Sequence, residues 1–246
     1  MELTNRTILI TGGTGGIGLG LAEAFLKLKN RVIVCGRSQE KIEILKKKFP
    51  GIVALQYDVA DTGQRQKLAG EALRRFPELD ILVNNAGIQR YIDLKKGYGE
   101  LRSGGDEISV NFVAVVELTA LLIGHLMKRP SAAIINVSSG LAFMPMLSTP
   151  VYNATKAAVH TYSLVLRQQL KDTPVKVVEI VPPMVDTDLN KEGRNAARIK
   201  YRGVSLQEYI PTIIDGLKKG ADTIFYGDGD RVMTDSRRES ESRLLK

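Results

Sequence analysis

The sequence predicts an α/β fold: a doubly wound parallel sheet with helices on both faces. Three observations carry that prediction. Seven short apolar, β-branched runs alternate with amphipathic segments along the chain. The runs are continuously apolar, as strands covered on both faces must be. A glycine-rich turn joins the first run to the first amphipathic segment. Alternation of this kind builds parallel strands joined by right-handed crossovers. The 246 residues suit one large domain over 1–246, and 43% hydrophobic with 25% charged residues supports a packed core rather than disorder.

The first strand is expected over Thr7 to Thr11, followed by the turn Thr11 to Gly18. The first helix, Ile17 to Lys29, carries Leu21, Ala24, Phe25 and Leu28 at i, i+3, i+4 and i+7, one apolar face. The second strand is Arg31 to Cys35. Ser38 then offers an N-cap for a helix over Gln39 to Phe49. The third strand is Val53 to Tyr57, and Asp61 caps a helix over Thr62 to Phe76. The remaining strands are expected at Ile81 to Val83, Ala133 to Val137, Val175 to Val181 and Thr223 to Tyr226. The remaining helices are expected at Glu107 to Met127, Val151 to Leu170 and Leu206 to Lys219.

Two polar segments, Gln89 to Asp106 and Asp186 to Ser205, follow strand ends. In open α/β sheets ligands bind beyond the carboxyl ends of the strands, so both are candidate substrate walls. The second, around 186–205, is the expected substrate loop. Its Lys191, Arg194, Arg198, Lys200 and Arg202 suit either an anionic substrate or a solvated face. The tail 234–246 is charge-rich and is expected to fray or to dock on a neighbouring subunit.

Net charge is +8, with a pI of about 9.5. The basic residues are spread over helices, with no arginine-rich arm or aromatic-interleaved patch, which argues for a solvated surface and against a nucleic-acid partner. The opening residues Met1 to Arg6 are too polar for a signal peptide, and the run Ile8 to Ile10 is too short for a membrane span. The one cysteine, Cys35, excludes an internal disulfide framework. These features predict a cytoplasmic protein. His125 and His160 lack partners at ligand spacing, so no metal site is expected, and His160 is read as packing. Gly227 to Asp230 reads as a turn.

The turn Thr11-Gly12-Gly13-Thr14-Gly15-Gly16-Ile17-Gly18 opens a helix directly after a strand. Glycines let the backbone approach a pyrophosphate, and the helix N-terminus presents free N–H groups to it. This context marks the sheet as Rossmann-type and predicts a dinucleotide cofactor. An acidic residue at the second strand end would favour NAD. Here that strand ends in Gly36-Arg37-Ser38, a guanidinium fork and a hydroxyl suited to a 2′-phosphate, so NADP(H) is expected over NAD(H).

Tyr152 and Lys156 stand four residues apart and so share one helix face. A free tyrosine titrates near pH 10. An ammonium about 4 Å away, at an effective dielectric of about 20, favours the phenolate by about 4 kcal/mol. That is enough to lower the pKa by roughly three before burial opposes it. Ser139 upstream offers a hydroxyl for a substrate oxygen, and Ser138 points to the other face of its strand. The set can move a hydride and a proton to or from a carbonyl. Phe143, Met144, Met146 and Leu147 are candidates for an apolar substrate wall or for core.

These motifs resemble the short-chain dehydrogenase/reductase family over nearly the whole chain. They comprise Gly12, Gly16 and Gly18, then Asn84-Asn85-Ala86-Gly87, Asn111, Ser139, and Tyr152 with Lys156. Asp106-Glu107-Ile108, Ser139 to Phe143 and Pro182 to Thr187 look like the DltE-type branch of bacterial oxidoreductases. The resemblance implies that Gly12, Thr14, Gly16, Ile17 and Gly18 meet the cofactor and that Arg37 and Ser38 meet its 2′-phosphate. Asp58 and Val59 would contact the adenine, Asn84, Ala86 and Gly87 would line the adenosine side, and Asn85 would also meet the cofactor. Pro182, Val185 and Thr187 would lie by the nicotinamide. Tyr152 would be the general acid or base, and Lys156 would bind the nicotinamide ribose and lower the tyrosine pKa. Ser139 would hold the substrate oxygen, and Asn111 would support a proton-relaying water. Thr155 stands where serine is commonest. Pro183 replaces the usual glycine, so the turn after the sixth strand must differ locally.

The function expected is an NADP(H)-dependent oxidoreductase interconverting a carbonyl and an alcohol on a small molecule. A same-fold epimerase, dehydratase or imine reductase, and a non-catalytic dinucleotide-binding sensor, are the alternatives. A homodimer or homotetramer through Glu107 to Met127 and Val151 to Leu170 is implied by the resemblance.

Overall fold

The computed structural model describes residues 1–102, 106–191, 203–227 and 229. Seven strands form one parallel sheet: β1 (Thr7–Thr11), β2 (Arg31–Gly36), β3 (Ile52–Gln56), β4 (Ile81–Asn84), β5 (Ala132–Val137), β6 (Val175–Ile180) and β7 (Thr223–Ile224). Around it lie α1 (Gly16–Lys27), α2 (Gln39–Lys48), α3 (Thr62–Arg75), the short α4 (Tyr98–Arg102), α5 (Ala114–Leu126), α6 (Pro150–Gln169) and α7 (Leu206–Lys219). The order is β3-β2-β1-β4-β5-β6-β7. The chain winds outward from β1 to β3, then returns to lay β4 on the other side of β1. That reversal opens a crevice at the carboxyl ends of β1 and β4, the place where such sheets bind ligands.

Alternating residues of each strand feed two separate cores. Ile8 and Ile10 of β1 join Leu21 and Phe25 of α1 and Tyr209 and Ile213 of α7. Leu9, between them, joins Leu68 of α3, Leu118 and Leu122 of α5 and Leu166 of α6. A sheet buried on both faces therefore has no polar side, which is why its strands read as unbroken apolar runs.

The caps read from sequence are formed. Ser38 Oγ accepts from Lys41 N at 3.3 Å, and Asp61 Oδ1 accepts from Gln64 N at 2.7 Å. Three elements depart from expectation. The helix expected from Glu107 to Met127 contains a π-helical turn, Ser109–Val113, before α5. The last strand keeps only two residues. The segment expected to be irregular, Gln89 to Asp106, contains a 3-10 turn, Leu94–Lys96, and α4.

Ser109–Leu126 has the length and mean hydropathy, 1.7, of a membrane span. Its Val110, Leu118, Leu122 and Leu126 are buried in the second core. Arg194, Arg198, Lys200, Arg202, Asp228, Asp230 and the tail 234–246 lie outside the described residues.

Candidate active site

A cleft of about 940 Å³ runs across the carboxyl ends of the strands, from Arg37 at one end to Tyr152 and Met184 at the other. Its floor is the glycine turn. Gly12, Thr14, Gly16 and Ile17 line it, and α1 begins at Gly16, so its free N–H groups face the cleft floor. Gly15 has open space on its Cβ side. Gly18 does not line the cleft. A Cβ there would stand 2.4 Å from Asn85 Nδ2 and 2.5 Å from the Gly12 carbonyl oxygen. Gly18 thus lets α1 pack close beneath the turn, while its neighbours line the cleft.

Thr11, at the end of β1, joins the two sides of the crevice. Its Oγ1 accepts from the backbone N–H groups of Asn85 and Ala86, both at 3.0 Å, and donates to Val83 O at 3.3 Å. Asn85, Ala86 and Gly87 line the cleft. Asn84 does not. It is buried, and its Nδ2 donates to Asn136 Oδ1 at 2.9 Å and to Thr119 Oγ1 at 3.3 Å. Strand alternation turns Asn84 inward and Asn85 toward the cleft, so the structure does not place Asn84 where the adenosine-side expectation put it.

At the far end Arg37 is exposed, with Ser38 and Lys41 beside it where α2 begins. Asp58 and Val59 line the opposite wall. That wall is held from behind by Arg65, a buried arginine that sequence reading passed over. Its Nη1 donates to Val59 O at 2.5 Å, and its Nε pairs with Glu117 of α5 at 2.7 Å. Burial pushes the Cys35 thiol up to about 12, which leaves it inert beneath the cleft.

At the other end Ser139, Tyr152 and Lys156 come together on the wall. Ser139 ends the β5 segment, its Oγ accepting from Leu141 N at 3.1 Å. Tyr152 and Lys156 lie one turn apart on α6, which Pro150 opens at its first position. Burial is the main influence on both. It raises the Tyr152 phenol to about 12, against a hydrogen bond with Ser139 that lowers it and the Glu107 charge that adds to the rise. Burial lowers the Lys156 ammonium to about 8.

The expected fall in the tyrosine pKa is absent from this geometry. Lys156 Nζ lies over the tyrosine ring, 5.7 Å from its centroid, and donates to Val137 O at 2.8 Å. The ammonium is directed at a carbonyl rather than at the phenol oxygen, so desolvation prevails over attraction.

Asn111 stands behind the wall, fully buried. Its Oδ1 accepts from Ile88 N and its Nδ2 donates to Ile88 O, both at 2.9 Å, and Nδ2 also reaches Thr155 Oγ1 at 3.1 Å. Thr155 Oγ1 in turn donates to Tyr152 O at 2.8 Å. A Cβ on Gly87 would sit 3.5 Å from Asn111 Oδ1 and 3.6 Å from Lys156 Nζ, so the asparagine and the lysine flank the same glycine. The π-helical turn that carries Asn111 is the kind of irregularity often found at functional sites.

Pro182, Val185 and Thr187 line the cleft after β6. Pro182 O accepts from Gly140 N at 2.9 Å, tying the double proline to the Ser139 turn. Val185 bridges Val204, which closes the base of the intervening segment. Gly203 makes that closure possible: a Cβ there would meet Asp186 N and Val185 C at 2.8 Å. No sequence signal singled out this glycine, because its neighbour is far away in the chain.

His160 does more than pack. Its Nδ1 lies 2.9 Å and 3.1 Å from the carboxylate oxygens of Glu179, a fully buried residue of β6, while Phe143 packs against its ring at 4.5 Å.

The cleft fits a dinucleotide. A helix N-terminus and close backbone lie where a pyrophosphate needs them, cations stand at one end, and Ser139, Tyr152 and Lys156 stand together at the other. Its volume is at the upper end of the roughly 300–1,000 Å³ of small-molecule sites.

Comparison with known proteins agrees. The family model described as short chain dehydrogenase matches residues 6–198. The chain is 51% identical to the uncharacterized oxidoreductase DltE of Bacillus subtilis, covering 100% of this chain and 97% of that protein. It is 33% identical to a serine 3-dehydrogenase of Agrobacterium fabrum, over 81% of each chain. Among solved structures, a short chain dehydrogenase from Burkholderia cenocepacia in complex with NADP superposes with a TM-score of 0.81 at 23% identity, over 100% of both chains.

Proposed function

This chain belongs to the short chain dehydrogenase family, and from that membership we propose an NADP(H)-dependent reductase that interconverts a carbonyl and an alcohol on a small molecule. One observation carries the reading: Ser139, Tyr152 and Lys156 meet at one end of a cleft whose other end presents Arg37. The nicotinamide dinucleotide supplies or accepts the hydride. The chain's own residues do the rest. Ser139 Oγ holds the substrate oxygen beside the Tyr152 hydroxyl. Tyr152, a neutral phenol in this environment, donates its proton to that oxygen as the alcohol forms. Lys156 and the Asn111–Thr155 pair hold the tyrosine and the adjoining wall in place.

A phenol protonated at neutral pH can serve as the proton donor for reduction. The test is consumption of reduced dinucleotide with a panel of ketones, aldehydes and imines. Turnover that depends on Tyr152 supports the reading; tight cofactor binding with no turnover on any carbonyl overturns it.

The 2′-phosphate preference rests on Arg37, Ser38 and Lys41 and on the absence of a carboxylate at the end of β2. Arg37→Ala is expected to raise the Michaelis constant for NADPH about ten-fold or more, one charge-assisted contact being worth about 1.5–3 kcal/mol, and to leave that for NADH little changed. Equal effects on both cofactors would refute the assignment.

The reading also places the protein in the cytoplasm, where the reduced cofactor is supplied. It takes the described ends of the substrate segment, Asp186 to Lys191 and Gly203 to Ser205, as part of the substrate wall. Leu121 on α5 and Leu164 and Val165 on α6 are 39%, 45% and 52% exposed. These apolar faces support a homo-oligomer built on the two helices. Light scattering is expected to give a dimer or tetramer mass; a monomer at micromolar concentration would count against it.

A further inference from the structure

Several apolar side chains gather at the Tyr152 end of the cleft, beside the polar Gln89, Ser139 and Lys156. Ile88, Val110, Leu141, Met144, Met146 and Met184 line that end of the cleft, and Arg90 lines it with them. Three ties hold the segment carrying Arg90. Asn111 grips the backbone of Ile88. Glu107 Oε1, one helical turn before Asn111, accepts from Arg90 N at 3.0 Å. Ser148 O, just ahead of α6, accepts from Ile92 N at 2.9 Å. Arg90 is therefore strung between the residue that follows Gly87, beside Lys156, and the loop that leads into Tyr152.

Its guanidinium is incompletely satisfied. Nη2 donates to Leu101 O at 3.1 Å, and Nε lies 3.5 Å from Glu107 Oε2. Nε and Nη1 are buried and have no hydrogen-bond partner among the described residues. A buried donor without an acceptor is costly, and an incoming acceptor would remove that cost. Glu107 is fully buried behind the arginine and sets its orientation.

We propose that Arg90 is the anion-reading residue of the substrate pocket, and that the preferred substrate carries a carboxylate on an otherwise apolar chain. This rests on the carbonyl-reductase reading above and names its substrate class. A guanidinium fork matches a planar carboxylate in two parallel bonds. Glu107 already offsets part of the positive charge, which suits a single negative charge better than a doubly charged phosphate. Methionines and leucines on the facing wall suit a flexible aliphatic remainder.

The experiment compares the isomeric oxopentanoates with their methyl esters as substrates, using wild type, Arg90→Met and Arg90→Lys. Wild type is expected to favour at least one acid over its ester, and Arg90→Met to lower that acid-to-ester ratio of kcat/KM by about ten- to a hundred-fold, as a charge-assisted hydrogen bond predicts. Arg90→Lys is expected to fall between, since it keeps the charge and loses the fork. An arginine that merely braces the loop would reduce both substrates together and leave the ratio unchanged, which overturns the proposal. A wild-type preference for the esters also overturns it. If neither acid nor ester is turned over, the carbonyl-reductase reading is judged separately by the wider panel of ketones, aldehydes and imines. Calorimetric titration of pentanoate into the NADPH complex then decides the anion site. Binding lost in Arg90→Met upholds the site, and binding unaffected by the change, or absent from wild type, rejects it.

Discussion

Tyr152→Phe is expected to lower carbonyl reduction by roughly a hundred- to ten-thousand-fold while the fold and cofactor affinity persist, the usual loss when a general acid is removed. The phenylalanine keeps the ring that fills this buried position and deletes only the hydroxyl. Burial holds that hydroxyl protonated to about pH 12 in this structure, so it is the loaded proton donor at neutral pH. Ser139 remains as a hydrogen-bond partner for the substrate oxygen, but no group with a suitable proton stands in the phenol's place. The check is the rate of reduced-cofactor loss, with dinucleotide titration run alongside. Near-normal turnover in the variant would refute Tyr152 as the acid, whatever else the cleft binds.

Lys156→Met is expected to abolish most turnover and yet to stabilise the protein. The lysine is buried, and burial lowers its ammonium to about 8, against about 10.4 in the unfolded chain. Below pH 8 the native state carries a desolvated charge that costs roughly 3 kcal/mol relative to the unfolded state. Between 8 and about 10.4 the unfolded chain binds the extra proton, so wild-type stability rises with pH across that window.

Methionine removes the penalty at neutral pH and removes the rise with it. The loss of the bond to Val137 O returns only about 1 kcal/mol of that gain. Urea unfolding of both proteins at pH about 7 and about 10 measures the effect. A variant less stable than wild type at pH about 7, or one that keeps the wild-type rise, would show that Lys156 is not carrying a buried charge. A more stable variant without that rise would show a lysine kept for function against its cost to the fold.

Much of the site is legible in the chain because its logic is local. Tyr152 and Lys156 share a helix face by spacing alone. The glycine turn sits between a strand and a helix, and Arg37 stands at the end of the strand that follows. The two caps, Ser38 and Asp61, also need only neighbouring residues. Seven apolar runs alternating with amphipathic helices are enough to dictate a sheet buried on both faces, since nothing else could hide them.

What the tertiary structure decided lies where a residue's partner is distant in sequence. Gly18 reads as a cofactor contact, but Asn85 and Gly12 need the space its missing side chain leaves. Asn84 and Asn85 look alike in the chain, and the pleat sends one to Asn136 and the other to the cleft. Gly203 is unremarkable until Asp186 lies against it. His160 acquires Glu179, a carboxylate hidden in a strand that reads as apolar. The Tyr152 pKa moves opposite to expectation because the spacing places Lys156 on the right face, while its ammonium goes to Val137 O. Sequence determined which chemical groups face one another along helices and strands. Burial and the direction of each polar bond, which set the energies of those groups, exist only once the two halves of the sheet have closed around them.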